Sequence, residues 1–151
     1  YVAGMMLPSG MTFGDLQKEL EGRDGFSQGI SDRIVYSEDR QSSTVPPEEA
    51  AAIFFNDCPR DVAMEAAMKL TPQAEGARAI LPELTEARFG TLPRLYIEAT
   101  DDRSVVLLAQ RRMQELVPGA VVKSLPTGHA PQLGNPPLLA EALIPFLSGT
   151  E

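Results

Sequence analysis

Residues 92–146 read LPRLYIEATDDRSVVLLAQRRMQELVPGAVVKSLPTGHAPQLGNPPLLAEALIPF, and the rhythm of this stretch decides the fold class. Arg94 to Thr100 is a β-prone apolar run, Asp101 to Ser104 is a polar turn, and Val105 to Leu116 carries Val105, Ala109, Met113 and Leu116 along one helical side. Pro118-Gly119 stops that helix. Ala120 to Leu125 is a second strand, and Pro126-Thr127-Gly128-His129 is the loop at its carboxyl end. Asn135 is placed to cap a last helix, with Pro136 and Pro137 in its first turn and Leu139, Leu143 and Phe146 on its inner side. Strand, helix, strand, helix with short loops predicts parallel strands and right-handed crossovers, an α/β architecture.

Toward the N-terminus, Tyr1 to Leu7 is an apolar run closed by Pro8-Ser9-Gly10, the pattern of a strand buried on both faces of a parallel sheet. Natural chains seldom begin inside such a strand, so the expectation is the C-terminal part of a longer domain whose first strands precede Tyr1. Asp15 to Leu20 reads as a short helix, residues 22–31 as loop, and Ile34–Tyr36 with Ser43–Val45 as a small hairpin. Pro46-Pro47-Glu48-Glu49 opens a helix, since proline loses no bond in a first turn and acidic residues suit the positive end of the dipole. A second helix follows Asp57-Cys58-Pro59, with Met64, Ala67 and Met68 sharing a face, and stops at Thr71-Pro72. Three parts result: core strand and turn over 1–11, a mostly helical insertion over 12–90, and a return to the α/β core over 91–151.

Composition narrows the function classes. Of 151 residues, 13 are Lys or Arg and 21 Asp or Glu, a net charge of −8 that repels phosphate backbones and argues against nucleic acid as a partner. With 43% hydrophobic and 23% charged residues the chain is globular in character, and no apolar run is long enough to span a membrane. One cysteine and one histidine cannot build an intrachain disulfide or a structural zinc site, so the expectation is a reduced, cytoplasmic protein with no metal and no cofactor. A chain of this length is one domain's worth, but with its strand-like start it reads as roughly the last three-fifths of a ~250-residue domain.

Catalytic groups of open α/β sheets gather at the carboxyl ends of the strands. Two such ends are decorated here, one by Asp101 and Asp102, the other by His129, the only histidine. One helix and one strand separate them, so they can be neighbours. An aspartate beside a loop histidine is the orienting half of a nucleophile–His–Asp triad, because the carboxylate fixes the imidazole tautomer and stabilises the imidazolium. Residues 92–146 resemble the C-terminal part of α/β-hydrolase fold proteins, in particular the small esterase branch of plant methyl esterases and hydroxynitrile lyases with their bacterial relatives. YVAGMMLPSG is similar to the strand after the nucleophile helix, and PPEEAAAIFFNDCPRDVAMEAAMKLTPQ to the lid helices, so the resemblance covers essentially the whole chain. It implies Asp102 as the catalytic acid and His129 as the base, leaving Asp101 as a turn residue that caps the following helix.

The nucleophile of such a family lies in a G-x-S-x-G elbow between strand and helix. Gly25-Phe26-Ser27-Gln28-Gly29 matches the string, but Glu19 to Asp24 cannot be a buried strand and Ile30 to Arg33 opens no amphipathic helix, so Ser27 reads as a lid loop. The resemblance places the elbow serine and the oxyanion-hole donors upstream of Tyr1. Ser9 reads as a turn residue, and Cys58, with no basic neighbour to lower its pKa, as a structural thiol. Met5, Met6, Phe54, Phe55 and Val105 are candidate pocket residues, to be weighed against plain core. Lyases of the family carry a lysine after the base, where this chain has Ala130, so the resemblance favours hydrolysis of a small or medium apolar ester over lyase chemistry. Two other readings stay open: a non-catalytic hydrolase-fold protein that binds a small apolar ligand, and a complete 151-residue protein without a nucleophile.

Overall fold

A computed structural model of the chain describes residues 1–77 and 81–150; the part of the 12–90 insertion at 78–80 and the last residue of the 91–151 part lie outside the described residues. In chain order the elements are α1 (Phe13–Leu20), β1 (Val35–Tyr36), β2 (Ser42–Thr44), α2 (Pro47–Phe54), α3 (Arg60–Ala67), β3 (Gln73–Ala74), β4 (Leu95–Ala99), α4 (Leu107–Leu116), β5 (Val121–Leu125), α5 (Pro131–Gly134) and α6 (Pro136–Leu147). Short 3-10 turns cover Gly29–Arg33 and Glu75–Ala77, and one π turn covers Glu86–Gly90.

β4 and β5 pair in parallel, from Leu95 opposite Val121 to Ala99 opposite Leu125, as the strand–helix–strand rhythm requires. All five residues of β4 are buried, and their alternation divides the core. Tyr96 joins Met6, Leu16, Leu20, Val105, Ala109 and Met113 beneath α1 and α4, whereas Leu95 and Ile97 join Leu125, Leu139 and Ala142 beneath α6. A helix layer therefore covers each face of β4, whereas β5 is mostly exposed, with Leu125 its one buried residue. α6 starts where expected, with the Asn135 side chain accepting a bond from the Leu138 N–H at 3.2 Å. α5 is a single turn that the sequence pattern did not announce.

The apolar run at the N-terminus pairs with β4 over a shorter span than expected. The Ile97 N–H donates to the Tyr1 carbonyl and the Ala3 N–H to the Ile97 carbonyl, both at 2.9 Å. At Ala3 the backbone turns through φ 44°, a conformation costly for a residue with a Cβ, and the Tyr96 hydroxyl holds the departing chain by donating to the Gly4 carbonyl at 2.7 Å. Beyond that turn the run divides between the surface, with Met5 exposed, and the core, with Met6 buried.

Between residues 12 and 77 the chain adds α1 to α3 and a small antiparallel sheet of order β1-β2-β3. α1 starts earlier than the apolar spacing indicates, because Thr12 and Asp15 form a reciprocal capping box. The expected hairpin is present, with Val35 opposite Thr44, and β3 adds a strand opposite Ser42 and Ser43. α2 and α3 pack against each other. The face of α3 differs in part from expectation: Ala67 is buried as expected, but it is joined by Ala63 rather than by Met68, which follows the end of the helix and is exposed. Among the described residues no helix is long and apolar enough to cross a membrane, and no group of three or more His, Cys, Asp or Glu could hold a metal ion.

Glu98 is a buried charge in β4, met by Arg111 at 3.0 Å, Ser124 at 2.7 Å and Gln114 at 3.1 Å. Burial pushes its carboxyl up, but the bonds from Arg111, Ser124 and Gln114 together outweigh burial and hold it below its ordinary value of 4.5. A lowered folded-state pKa gives stability that is present above the unfolded value and lost as pH falls through the folded one. Glu98→Gln is therefore expected to flatten the fall in melting temperature below about pH 4.5. Thermal melts of the intact protein across that range check this, and parallel curves for the two proteins would exclude Glu98 as a source of acid sensitivity.

Candidate active site

The turn after β4 is built around the carboxylate of Asp102. Its Oδ1 accepts from the Ser104 N–H at 2.7 Å and the Val105 N–H at 2.9 Å, which folds the turn back toward α4. From α4, Gln110 reaches the same turn: its Oε1 accepts from the Ala99 N–H at 3.0 Å, and its Nε2 donates to the carbonyls of Ala99 at 3.0 Å and Val105 at 2.7 Å. The Asp102 side chain is fully buried, with two backbone donors on one oxygen and its other oxygen turned to the histidine.

The loop after β5 carries that histidine. Thr100 donates its N–H to the Leu125 carbonyl at 2.9 Å and Asp101 donates to the Thr127 carbonyl at 3.1 Å, so the ends of the two strands are tied together. His129 Nδ1 lies 2.8 Å from Asp102 Oδ2. A carboxylate only accepts, so this contact assigns the proton to Nδ1 and leaves the Nε2 lone pair free to take another. The ring is 28% exposed and lies against Phe54 of α2, with centroids 5.3 Å apart. Among the described residues no hydroxyl bonds to Nε2.

A cavity of about 1080 Å³ opens beside the histidine, and His129, Phe54, Val105, Met5, Gln132 and Tyr36 are among its lining residues. Met5, Phe54 and Val105 thus stand where pocket residues would. Met6 does not; with 1% exposure it belongs to the core with Leu16 and Tyr96, because the turn at Ala3 directs it inward. Phe55 meets Phe54 edge-on at 6.1 Å and is not among the lining residues. Asp101 is exposed and engages the turn through its backbone; it does not cap the following helix, since α4 starts after Val106 with no side-chain cap bond.

Ser27 sits in a loop that no strand precedes, and its Oγ accepts from the Gly29 N–H at 3.0 Å. Ser9 also serves a loop, with its hydroxyl donating to the Leu84 carbonyl at 3.0 Å and accepting from the Leu84 N–H at 2.7 Å. The Cys58 thiol is pushed up by burial and then by the adjacent Asp57 carboxylate, which makes it a poor nucleophile. Ala130, after the histidine, is buried.

Three polar residues at the site escaped the sequence reading. Gln110 falls beside Ala109 on the buried stripe of α4, and a polar residue on such a stripe is the signal that could have marked it. Asn56 and Asp57 read simply as a turn between two helices, yet Asn56 Nδ2 donates to the Asp101 carbonyl at 3.1 Å and Asp57 Oδ2 accepts from the Gly128 N–H at 2.7 Å.

No family model matches the chain. Over 66 residues it is 48% identical to a pyrethroid hydrolase of Sphingobium wenxiniae, an alignment covering 43% of this chain and 24% of that protein. The crystal structure of a pyrethroid hydrolase from Sphingobium faniae superposes with a TM-score of 0.79 at 26% identity, over 98% of this chain and 59% of that one. Polyneuridine aldehyde esterase matches with a TM-score of 0.70 over 97% of this chain and 59% of that one, and at 20% identity this shows the fold alone. The chain thus spans about 60% of the length of solved relatives such as a second pyrethroid hydrolase structure, which it matches at 27% identity and a TM-score of 0.77.

Proposed function

Since this chain has the α/β-hydrolase fold, we propose that Asp102 and His129 are the acid and base of a serine-dependent carboxylic-ester hydrolase. The observation that carries the reading is their 2.8 Å contact at the carboxyl ends of adjacent parallel strands, beside a cavity with apolar lining. His129 Nε2 takes the proton of a serine hydroxyl as its oxygen attacks the ester carbonyl, then gives that proton to the departing alcohol, leaving an acyl-enzyme. A water enters by the same exchange: Nε2 takes its proton, the hydroxide releases the acid, and the proton returns to the serine. Asp102 stays ionised throughout and holds the tautomer.

The serine is supplied by residues outside these 151, since Ser27 lies in a loop without the strand-to-helix setting of an elbow. On this reading residues 1–11 and 91–151 belong to the hydrolase core and 12–90 form its lid, with Met5, Phe54 and Val105 shaping a site for a small or medium apolar ester. The pyrethroid hydrolases among the relatives support ester hydrolysis as the reaction class. The resemblance gives the family's lyases a lysine after the base, where this chain has the buried, neutral Ala130. The lone thiol fits a reducing, cytoplasmic setting.

The test is covalent labelling of the intact protein with a fluorophosphonate, alongside turnover of a short-chain p-nitrophenyl ester. One labelled serine upstream of Tyr1 is expected, together with ester turnover. Label on Ser27 would move the nucleophile into the lid loop, and an apolar ester analogue that binds without label or turnover would favour the ligand-binding reading.

A further inference from the structure

We propose that the turn joining α2 to α3 sets the geometry of the acid–base pair, with Asn56 and Asp57 as positioning residues; the inference rests on the hydrolase reading of Asp102 and His129. Two adjacent side chains each grip the residue immediately before a member of the pair. Asn56 Nδ2 holds the Asp101 carbonyl at 3.1 Å, and Asp57 Oδ2 holds the Gly128 N–H at 2.7 Å. One short turn thereby links two loops that lie 45 and 71 residues further along the chain.

The fit leaves no slack. A Cβ added to Gly128 would lie 2.6 Å from Asn56 Oδ1 and 2.8 Å from Asp57 Oδ1, and one added to Gly134 of α5 would lie 2.5 Å from Asp57 Oδ2. The Asp57 carboxylate is thus wedged between the histidine loop and the helix that follows it. Phe54, at the end of α2, lies against the imidazole itself. With the ring held on one side by Asp102 and on another by Phe54, the remaining freedom is the position of the loop backbone, which the Asp101 N–H restrains at Thr127 and Asp57 at Gly128, next to the histidine. Misplacing a catalytic group by ~1 Å costs up to about 100-fold in rate.

In the intact protein, Asp57→Ala is expected to lower kcat roughly 10- to 100-fold with KM changed by less than about twofold, since the turn positions the base rather than the substrate. The low-field proton resonance of the His129 Nδ1–H should broaden or vanish with it. Asp57→Asn keeps an oxygen acceptor for Gly128 and should retain kcat within about threefold of wild type, a rescue that a purely electrostatic role would not allow. Gly128→Ala combined with Asp57→Ala should cost less than the product of the separate losses, because Asp57→Ala removes one of the two side chains that the added Cβ would meet, Asn56 being the other. Wild-type kcat with an intact low-field resonance in Asp57→Ala would overturn the proposal, and so would an Asp57→Asn variant as slow as Asp57→Ala. Should Asp57→Ala fail to fold, Asn56→Ala, which releases the acid turn alone, carries the same expectation and the same overturning result. His129→Ala separates the levels: turnover retained there sinks the hydrolase reading, whereas turnover lost there but kept in Asp57→Ala sinks the positioning role alone.

Discussion

Replacing Asp102 by Asn is expected to lower kcat for ester hydrolysis by about 10⁴-fold while leaving the fold in place, and the geometry of the turn says why. One carboxylate oxygen accepts from the Ser104 and Val105 N–H groups, so the carbonyl oxygen of an asparagine must occupy that side. Its amide nitrogen then faces His129 Nδ1, where Asp102 Oδ2 now stands at 2.8 Å. Two donors cannot share that contact, so Nδ1 is forced to accept and the imidazole proton moves to Nε2, the atom that should receive one from the nucleophile. The variant keeps the shape of the site and inverts its tautomer, giving up the 3.4 Å bond that Asp102 Oδ2 accepts from Gln110 Nε2. His129→Ala, which removes the base outright, should cost at least as much. Steady-state kinetics of the intact protein on a p-nitrophenyl ester check both, with melting temperatures showing that folding survives. An Asp102→Asn enzyme within about tenfold of wild type would mean that the pair is structural and that another group takes the proton.

The parallel strands were legible because β4 and β5 are short runs closed by polar turns, and a helix of matching length lies between them. The helical segment before them was legible in its starts, which proline and acidic residues mark, but not in its faces. Alanine carries little hydrophobic contrast, so spacing placed Ala67 on the inner face of α3 but missed Ala63, which is buried where α3 packs against α2. At the site, spacing alone could not choose between Asp101 and Asp102, which share one turn; the structure brings Asp102 Oδ2 to 2.8 Å from His129 Nδ1 and leaves Asp101 exposed. Asn56 and Asp57 lay beyond reach for a different reason. Their partners are distant in sequence, and a side chain that grips a remote backbone group leaves no trace in local composition.

The loop that matches a nucleophile string, Gly25 to Gly29, has its own consequence for stability. Gly29 has φ 59°, and a Cβ there would lie 2.0 Å from the Ser104 carbonyl oxygen and 3.1 Å from that of Arg103. Both obstacles are backbone atoms of the acid turn, which cannot rotate aside as a side chain would. Gly29→Ala should therefore incur the left-handed backbone cost of about 1–2 kcal/mol and a further ~1–3 kcal/mol of overpacking. That loss of about 2–5 kcal/mol is a large part of the 5–15 kcal/mol on which a domain typically stands. Gly25 supplies the control: its φ of 79° is equally left-handed, but nothing lies within 4 Å of its added Cβ. Gly25→Ala should incur the backbone cost alone, about 1–2 kcal/mol. Denaturant midpoints of the two variants in the intact protein isolate the contact between the loop and the acid turn, and equal losses would show that it carries no weight. The molecules of Gly29→Ala that do fold should also be slow catalysts, because the shift needed to relieve the overlap moves Ser104, and Ser104 N–H is one of the two donors that orient Asp102. Of the two glycines, Gly29 is thus the one that lets the loop lie flat against the acid turn.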